Sequence, residues 1–195
     1  MTQVALFHSV LGVRPGMADA AERLRAAGHQ VLVVDLYEGQ AFDDYDEASA
    51  FLESIGSYPE LMRRAAAAVK TLPDGFVAVG FSNGGGTAEY VATQRRVAGV
   101  VMVSGALPVE MLGANSWPAA VPAQIHYTTG DPFRRQEWVD AVAASVRAAG
   151  AAIGLFDYPG AGHLFTDASM AGEYQAPEAA LMWQHVLAFA PLQVP

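Results

Sequence analysis

The sequence predicts a single α/β domain over residues 1–195, built on one mostly parallel β-sheet with helices on both faces. About half of the 195 residues are apolar (52%), which allows a chain of this length to bury a core of its own. Short apolar runs rich in valine alternate with longer segments whose apolar residues recur at helical spacing. This alternation is typical of βαβ units, in which a helix joins two parallel strands.

The N-terminal part of the chain begins with a predicted strand over residues 4–7. A turn-prone segment follows, and residues 17–27 then carry apolar side chains at helical spacing, with Gly28 favouring the end of that helix. Residues 31–34 are an unbroken valine-rich run, as in strands that are covered on both faces. Another helix is predicted over 59–72.

The rest of the chain continues the same alternation. The remaining predicted strands are 76–79, 97–103, 125–128 and 153–156, and the remaining predicted helices are 84–93, 137–149 and 177–189. The helix over 137–149 is rich in good helix formers and ends at Gly150. The connection between the strands 97–103 and 125–128 is short, so we expect no large lid and an open site. Six strands joined in this way predict a doubly wound sheet, which binds ligands at the carboxyl ends of its strands.

The composition argues against several classes of function. A formal net charge of -9 repels phosphates, so neither nucleic acid nor a membrane surface is an expected partner. The chain has no cysteine, which excludes a thiolate metal site and a cysteine nucleophile. It shows no basic leader and no apolar stretch of ~20 residues, so we expect a cytoplasmic protein. No metal is expected, because the histidines outside the site proposed below lack paired ligand spacing. These are His8, His29, His126 and His185.

Residues 80–86, Gly-Phe-Ser-Asn-Gly-Gly-Gly, match the G-x-S-x-G motif of a nucleophile elbow. The motif lies directly after a predicted strand and before a predicted helix, which is where that sharp turn belongs. Small residues at Gly80 and Gly84 allow the close backbone packing that the turn requires. We therefore predict Ser82 as a nucleophile.

Two downstream residues complete the chemistry that a serine nucleophile needs. A serine hydroxyl is a poor nucleophile until a histidine takes its proton, and a carboxylate must orient that histidine. Asp131 follows the strand 125–128, and His163 follows the strand 153–156. Each residue alone could be an ordinary loop residue, but the order serine, acid, histidine at three strand ends predicts a catalytic triad.

The site also needs two backbone donors for an oxyanion and a pocket for substrate. We predict the NH of Asn83 as one donor and the NH of Val10, with Leu11 as the alternative, as the other. Apolar residues in loops on the same edge could line the pocket. These are Leu11, Leu107, Trp117, Phe133 and Phe165.

A few other residues are left open by the sequence. Glu38, His8 and His126 are close enough to strand ends to reach the site, although Glu38 is more simply an exposed loop acid. An acidic cluster is interpreted as a solvated face at the start of a helix rather than a cation site. It consists of Asp43, Asp44, Asp46 and Glu47.

With these residues, the chain resembles the dienelactone hydrolase family, a lidless branch of the α/β-hydrolases, over nearly its whole length. The resemblance lies in the segments 8–15, 34–37, 80–85, 129–133 and 160–165. It implies the α/β-hydrolase fold and hydrolysis of an ester or lactone without metal or organic cofactor. The first predicted strand is similar to the third strand of the full hydrolase sheet, so we expect a sheet reduced at its N-terminus.

The chain departs from the dienelactone-cleaving members at three positions. They use cysteine where this chain has Ser82, and a glutamate where it has Ser9. Asp167 stands where they carry an arginine that binds the substrate carboxylate. A negative side chain there would repel an anionic lactone.

The predicted function is hydrolysis of a small carboxylic ester or lactone through an acyl-serine intermediate. Two alternatives remain. The first is a binding protein of the same fold that has no activity. The second is a thioesterase, peptidase or acyltransferase that uses the same triad, because the fold alone does not select the substrate.

Overall fold

Six β-strands form one sheet in the computed structural model, which describes residues 1–193. The strands are β1 (Gln3–Phe7), β2 (Gln30–Val34), β3 (Phe76–Phe81), β4 (Val97–Val103), β5 (Ala123–Thr128) and β6 (Ile153–Tyr158). The helices are α1 (Pro15–Ala26), α2 (Tyr45–Ser54), α3 (Ser57–Ala68), α4 (Asn83–Gln94), α5 (Gln136–Ala148) and α6 (Ala176–Leu187). Short 3₁₀ turns lie at Val109–Leu112 and Ala190–Leu192.

All strand pairs in the sheet are parallel, and their order is β2-β1-β3-β4-β5-β6. The chain first moves outward from β1 to β2 and then returns to place β3 on the other side of β1. Connections at such a point leave the sheet in opposite directions and open a crevice at the carboxyl ends of the strands. Phe7 pairs with Gly80, so the loops after β1 and β3 leave the sheet side by side.

Helices cover both faces of the sheet, as the sequence predicted. One buried cluster joins the sheet to α2, α3, α4 and α5, and it includes Leu52, Leu61, Val91 and Val142. The other joins it to α1 and α6 through residues such as Leu24 and Trp183. The apolar faces of the helices thus account for the two-layered core that the alternating pattern implied.

The prediction that residues 31–34 are covered on both faces was wrong. β2 is an edge strand in which exposed and partly buried residues alternate up to the buried Val34, and Leu32 is 37% exposed. β6 forms the opposite edge, where Leu155 is also exposed. A continuous apolar run indicates a strand of a parallel sheet, but it does not tell a central strand from an edge strand.

The structure adds one helix, α2, of which the sequence indicated only the start. The Asp44 side chain caps this helix by accepting hydrogen bonds from the NH groups of Asp46 and Glu47, which is the usual role of aspartate at an N-cap. Residues 104–122 contain only a short 3₁₀ turn, and no large lid is present there. No helix among residues 1–193 is long and apolar enough to cross a membrane.

Candidate active site

The turn between β3 and α4 holds Ser82 in an unusual backbone conformation, with φ 54° and ψ -120°. Close packing of the turn requires glycine next to it: a Cβ on Gly84 would overlap the carbonyl group of Phe7, and a Cβ on Gly80 would overlap Gly84 itself. Ser82 is the N-cap of α4, yet its side chain makes no capping hydrogen bond. The hydroxyl is therefore free to face the loops at the carboxyl ends of the strands.

Ser82, His163 and Asp131 form a continuous line of hydrogen bonds. The Ser82 Oγ lies 2.7 Å from the His163 Nε2, and the His163 Nδ1 lies 2.8 and 3.0 Å from the two Asp131 carboxylate oxygens. Because a carboxylate only accepts, the His163 Nδ1 carries the proton, which leaves Nε2 to accept the serine proton. The His163 and Asp131 side chains are only 6% and 0% exposed, so solvent screens this line weakly.

Neighbouring strands fix the backbone that carries His163. The Ser104 hydroxyl, directly after β4, donates to the His163 carbonyl at 2.6 Å. The Thr128 hydroxyl, at the end of β5, donates to the Gly162 carbonyl at 2.9 Å. Ser104 itself has a positive φ of 53°, a strained value for a residue that is not glycine. The segment that carries His163 is thus attached to residues at the ends of β4 and β5 by two short side-chain contacts.

Aromatic rings enclose the His163 imidazole. The Phe133 ring lies edge-on at 4.7 Å between centroids, and the Tyr45 ring lies at 6.3 Å. The Phe133 NH also donates to Asp131 Oδ1 at 2.8 Å. One residue therefore both supports the carboxylate and covers the histidine.

Val10 and Asn83 both border the same cavity as Ser82. Within the described residues, neither of their NH groups donates to a protein acceptor. The NH of Leu11, the alternative donor, is directed to the Ser9 Oγ at 3.2 Å. The geometry therefore favours Val10 over Leu11 as the partner of Asn83 in an oxyanion hole, which needs two unpaired donors beside the nucleophile.

The cavity above Ser82 has a volume of about 630 Å³, within the range of small-molecule sites. Helix α2 forms one wall, with Tyr45, Leu52 and the acidic Asp46 and Glu53. Much of the remaining lining comes from the loop after β4, the end of β5, the loop after β5 and the start of α5. It includes Ala106, Leu107, Tyr127, Phe133, Arg134, Arg135 and Trp138. The cavity is thus lined by both apolar and polar side chains, with acidic and basic residues among them.

Of the five predicted pocket residues, Leu107 and Phe133 line this cavity and three do not. The predictions for Leu11, Trp117 and Phe165 were wrong, because all three side chains are buried in the core. The Trp117 indole NH donates to the Val121 carbonyl at 2.8 Å. Leu11 and Phe165 follow β1 and β6, but their buried side chains do not line the cavity, and Trp117 lies in the segment that leads into the start of β5.

Three further residues that the sequence left open lie away from the cavity lining. Glu38 is exposed and lies 3.5 Å from Arg64. His8 is buried, and its ring contacts the backbone of Ser9 and of Leu36. Burial lowers the pKa of His126 to about 3, and this neutral ring contacts the side chains of Gln124 and Tyr158.

Asp167 is not among the residues that line the cavity beside Ser82, so it does not stand where the resemblance placed a substrate-binding side chain. Its carboxylate is almost fully buried and lies 3.5 Å from the Arg14 guanidinium, which also bonds to Asp43 and Ser169. Arg14 thereby pairs with two carboxylates, those of Asp43 and Asp167, in a loop cluster outside the cavity lining. Within residues 1–193, no group of three or more His, Cys, Asp or Glu side chains could hold a metal ion.

Sequence reasoning missed two residues near the site. Glu89 of α4 is completely buried, and burial raises the pKa of its carboxyl well above the ordinary value. Its Oε2 accepts the NH of Leu107, a cavity residue, at 2.8 Å. Tyr58 also borders the cavity, and its hydroxyl donates to the Asn83 side chain at 3.1 Å. The available signal for Glu89 in the sequence was an acidic residue at helical spacing among small and apolar residues.

Comparison with known proteins agrees with this fold. The family model described as the dienelactone hydrolase family matches residues 1–191. No curated protein matches the chain.

Several solved structures share the fold. A dienelactone hydrolase-like promiscuous phosphotriesterase from metagenomic libraries is 24% identical, with a TM-score of 0.82 over 96% of this chain and 84% of that one. A dienelactone hydrolase from Anabaena variabilis is 20% identical, with a TM-score of 0.66 over 96% and 86%. The Bacillus cereus carboxylesterase is 17% identical, with a TM-score of 0.57 over 96% and 89%. This chain is therefore a hydrolase of the α/β type that belongs to the dienelactone hydrolase family.

Proposed function

We propose that this protein is a serine hydrolase that cleaves small carboxylic esters or lactones through an acyl-serine intermediate. The observation that carries the proposal is the unbroken line from Ser82 Oγ to His163 Nε2 at 2.7 Å and from His163 Nδ1 to Asp131 at 2.8 Å. Ser82, at one end of this series of hydrogen bonds, borders a cavity large enough for a small substrate. Hydroxyl, imidazole and carboxylate in this arrangement are the groups that acyl transfer to serine requires.

In the first half of the reaction, the Ser82 oxygen attacks the ester carbonyl carbon while His163 Nε2 takes its proton. The imidazolium that forms is stabilised by the Asp131 carboxylate. The negative oxygen of the tetrahedral intermediate is placed to accept hydrogen bonds from the NH groups of Asn83 and Val10. His163 then gives its proton to the leaving alcohol, and Ser82 remains acylated.

In the second half, water replaces the alcohol. His163 takes a proton from the water as its oxygen attacks the acyl carbon, and the same two NH groups stabilise the second oxyanion. Collapse of that intermediate breaks the bond to Ser82, which regains its proton from His163. In both halves, the proton carrier and the oxyanion donors are groups of this chain.

The test is labelling with a fluorophosphonate probe, with the modified residue identified by peptide mass spectrometry. We expect one adduct, on Ser82, which Ser82→Ala abolishes and His163→Ala slows strongly, because the serine is then without its base. Ser116→Ala, at an exposed loop serine, is the matched control and should label as the original protein does. A folded protein without an adduct would instead favour a binding protein without activity.

A substrate panel separates the remaining reactions. Esters and lactones of small acids should be hydrolysed with a higher kcat/KM than thioesters or peptides of similar size. A preference for thioesters, or transfer of the acyl group to an added alcohol in place of water, would refute the proposed reaction while leaving the nucleophile in place.

A further inference from the structure

Two side chains from the segment before α6 accept the backbone NH groups on either side of His163. Gln175 Oε1 accepts the NH of Gly162 at 2.9 Å. Glu173 Oε2 accepts the NH of Leu164 at 2.5 Å. The catalytic histidine is therefore held from both neighbours in sequence, in addition to its contacts with the sheet.

Glu173 also makes a contact that reaches across the site. Its other oxygen, Oε1, accepts the hydroxyl of Tyr45 at 2.8 Å. Tyr45 is the first residue of α2, borders the substrate cavity and faces the His163 ring. One carboxylate thus connects the cavity wall to the loop of the base, between residues that are 128 positions apart in sequence.

The groups in the Glu173–Tyr45 contact suit a permanent hydrogen bond between α2 and the loop of His163. No Lys, Arg or His lies within ion-pair distance of Glu173 in residues 1–193, so its two oxygens are engaged by an NH and a hydroxyl instead. Burial and the neighbouring Glu173 both raise the pKa of Tyr45. The tyrosine therefore keeps the proton that it donates.

We propose that Glu173 is a positioning residue for His163, and that through Tyr45 it also fixes the α2 wall of the cavity against the base. The inference rests on the proposed function of the triad. His163 must hold Nε2 close to the serine oxygen and then to the leaving group, and misplacement of a catalytic group by about 1 Å costs on the order of 10²-fold in rate.

Three variants test the two hydrogen bonds separately. Glu173→Gln can keep both, because its amide oxygen accepts the Leu164 NH and its amide NH₂ donates to the Tyr45 oxygen. Glu173→Ala loses both. Tyr45→Phe keeps the ring beside His163 and loses only the hydroxyl.

The readouts are the second-order rate of fluorophosphonate labelling and the kcat and KM for p-nitrophenyl acetate. For Glu173→Ala we expect labelling and kcat to fall roughly 10- to 100-fold, with little change in KM. Glu173→Gln should stay within about threefold of the original protein, since it retains both contacts. Tyr45→Phe should give a smaller loss, and adding it to Glu173→Ala should cause no further loss, because the two residues share one contact.

The matched controls are Glu22→Ala, on the exposed face of α1, and Tyr174→Phe, at the partly exposed tyrosine next to Glu173 in sequence. Both should label like the original protein. If Glu173→Ala does not fold, Glu173→Met fills similar volume without an acceptor and replaces it.

Each result has a separate meaning. Rapid labelling of a folded Glu173→Ala variant, or an equal loss of rate in Glu173→Gln, would overturn the positioning role while the proposed function stands. Additive losses from Tyr45→Phe and Glu173→Ala would overturn the coupling through Tyr45. Failure of the original protein to label at Ser82 would overturn both the proposed function and this inference.

Discussion

Replacing Glu89 by glutamine removes an ionisable group from the interior without removing a hydrogen-bond acceptor. The Glu89 side chain is 0% exposed, and its Oε2 accepts the Leu107 NH at 2.8 Å. Its Oε1 has no hydrogen-bond partner within the described residues. Burial raises the pKa well above 4.5, so the folded protein keeps the proton. Glutamine has nearly the same shape as this neutral acid.

The size of the expected change in the free energy of unfolding follows from the difference in proton binding between the folded and unfolded states. In the unfolded chain the carboxyl ionises near pH 4.5, whereas in the folded protein it stays protonated to a higher pH. Between these two pKa values the folded state binds one proton more than the unfolded state. The free energy of unfolding therefore falls as pH rises, by about 1.4 kcal/mol per pH unit from this group alone. Below the ordinary pKa both states are protonated, and the loss disappears.

The assay is urea unfolding of the original protein and of Glu89→Gln at several pH values from about 5.5 to about 6.5. As pH rises, the difference in free energy of unfolding between the two should shift in favour of Glu89→Gln, by at most about 1.4 kcal/mol per pH unit. The other titrating groups are common to both proteins and cancel in the difference. Glu22→Gln, at an exposed position of α1, should show a difference that does not depend on pH.

A constant difference between the original protein and Glu89→Gln would refute the reasoning, since it would mean that Glu89 is ionised in the folded protein. The Glu89→Leu variant is a second test, which removes the hydrogen-bond acceptor as well as the ionisable group. It leaves the partly buried Leu107 NH without an acceptor and should cost about 1–3 kcal/mol. Because Leu107 lines the cavity, this variant should also raise the KM.

Three further predictions concern the site and its turn. Asp131→Asn should lower kcat by about 10⁴-fold in ester hydrolysis, because an amide NH₂ facing His163 favours the wrong tautomer; retention of full activity would remove Asp131 from the triad. Gly84→Ala should destabilise the protein by about 1–3 kcal/mol in urea unfolding, whereas Gly172→Ala, where a Cβ meets nothing within 4 Å, should not. Phe133→Ala should raise the KM for apolar esters about 3- to 10-fold with little change in Tm, since its ring is 56% exposed; a large drop in Tm with unchanged KM would contradict its place in the cavity wall.

The sequence predicted the parallel sheet, the helices on both faces and the loops that carry the proposed triad. These features depend on local order: an apolar run, a helix-forming segment and a polar residue at each strand end. Ser82, Asp131 and His163 could be placed because each follows a recognisable strand, and parallel strands bring their carboxyl ends to one edge.

The predictions that were wrong concern the direction in which a side chain points and the contacts between residues that are far apart in sequence. Phe165 lies in a loop at the expected edge, but a loop residue can point either toward the cavity or toward the core; Trp117 lies in the segment that leads into β5, outside the cavity lining. Asp167 could not be assigned to Arg14 by local pattern, because the two residues are far apart in sequence. The edge position of β2 likewise depends on which strands pair, and a run of valines does not contain that information.

The attachment of His163 has a consequence for how the protein folds. The base reaches Ser82 across 81 positions of sequence and Asp131 across 32, and its own loop depends on residues at the ends of β4 and β5 and just before α6. Contacts of such separation form only after long loops have closed. Catalytic competence should therefore return last in refolding, after the sheet has formed and the C-terminal segment has docked. Labelling at Ser82 is then a stricter measure of complete folding than helix content.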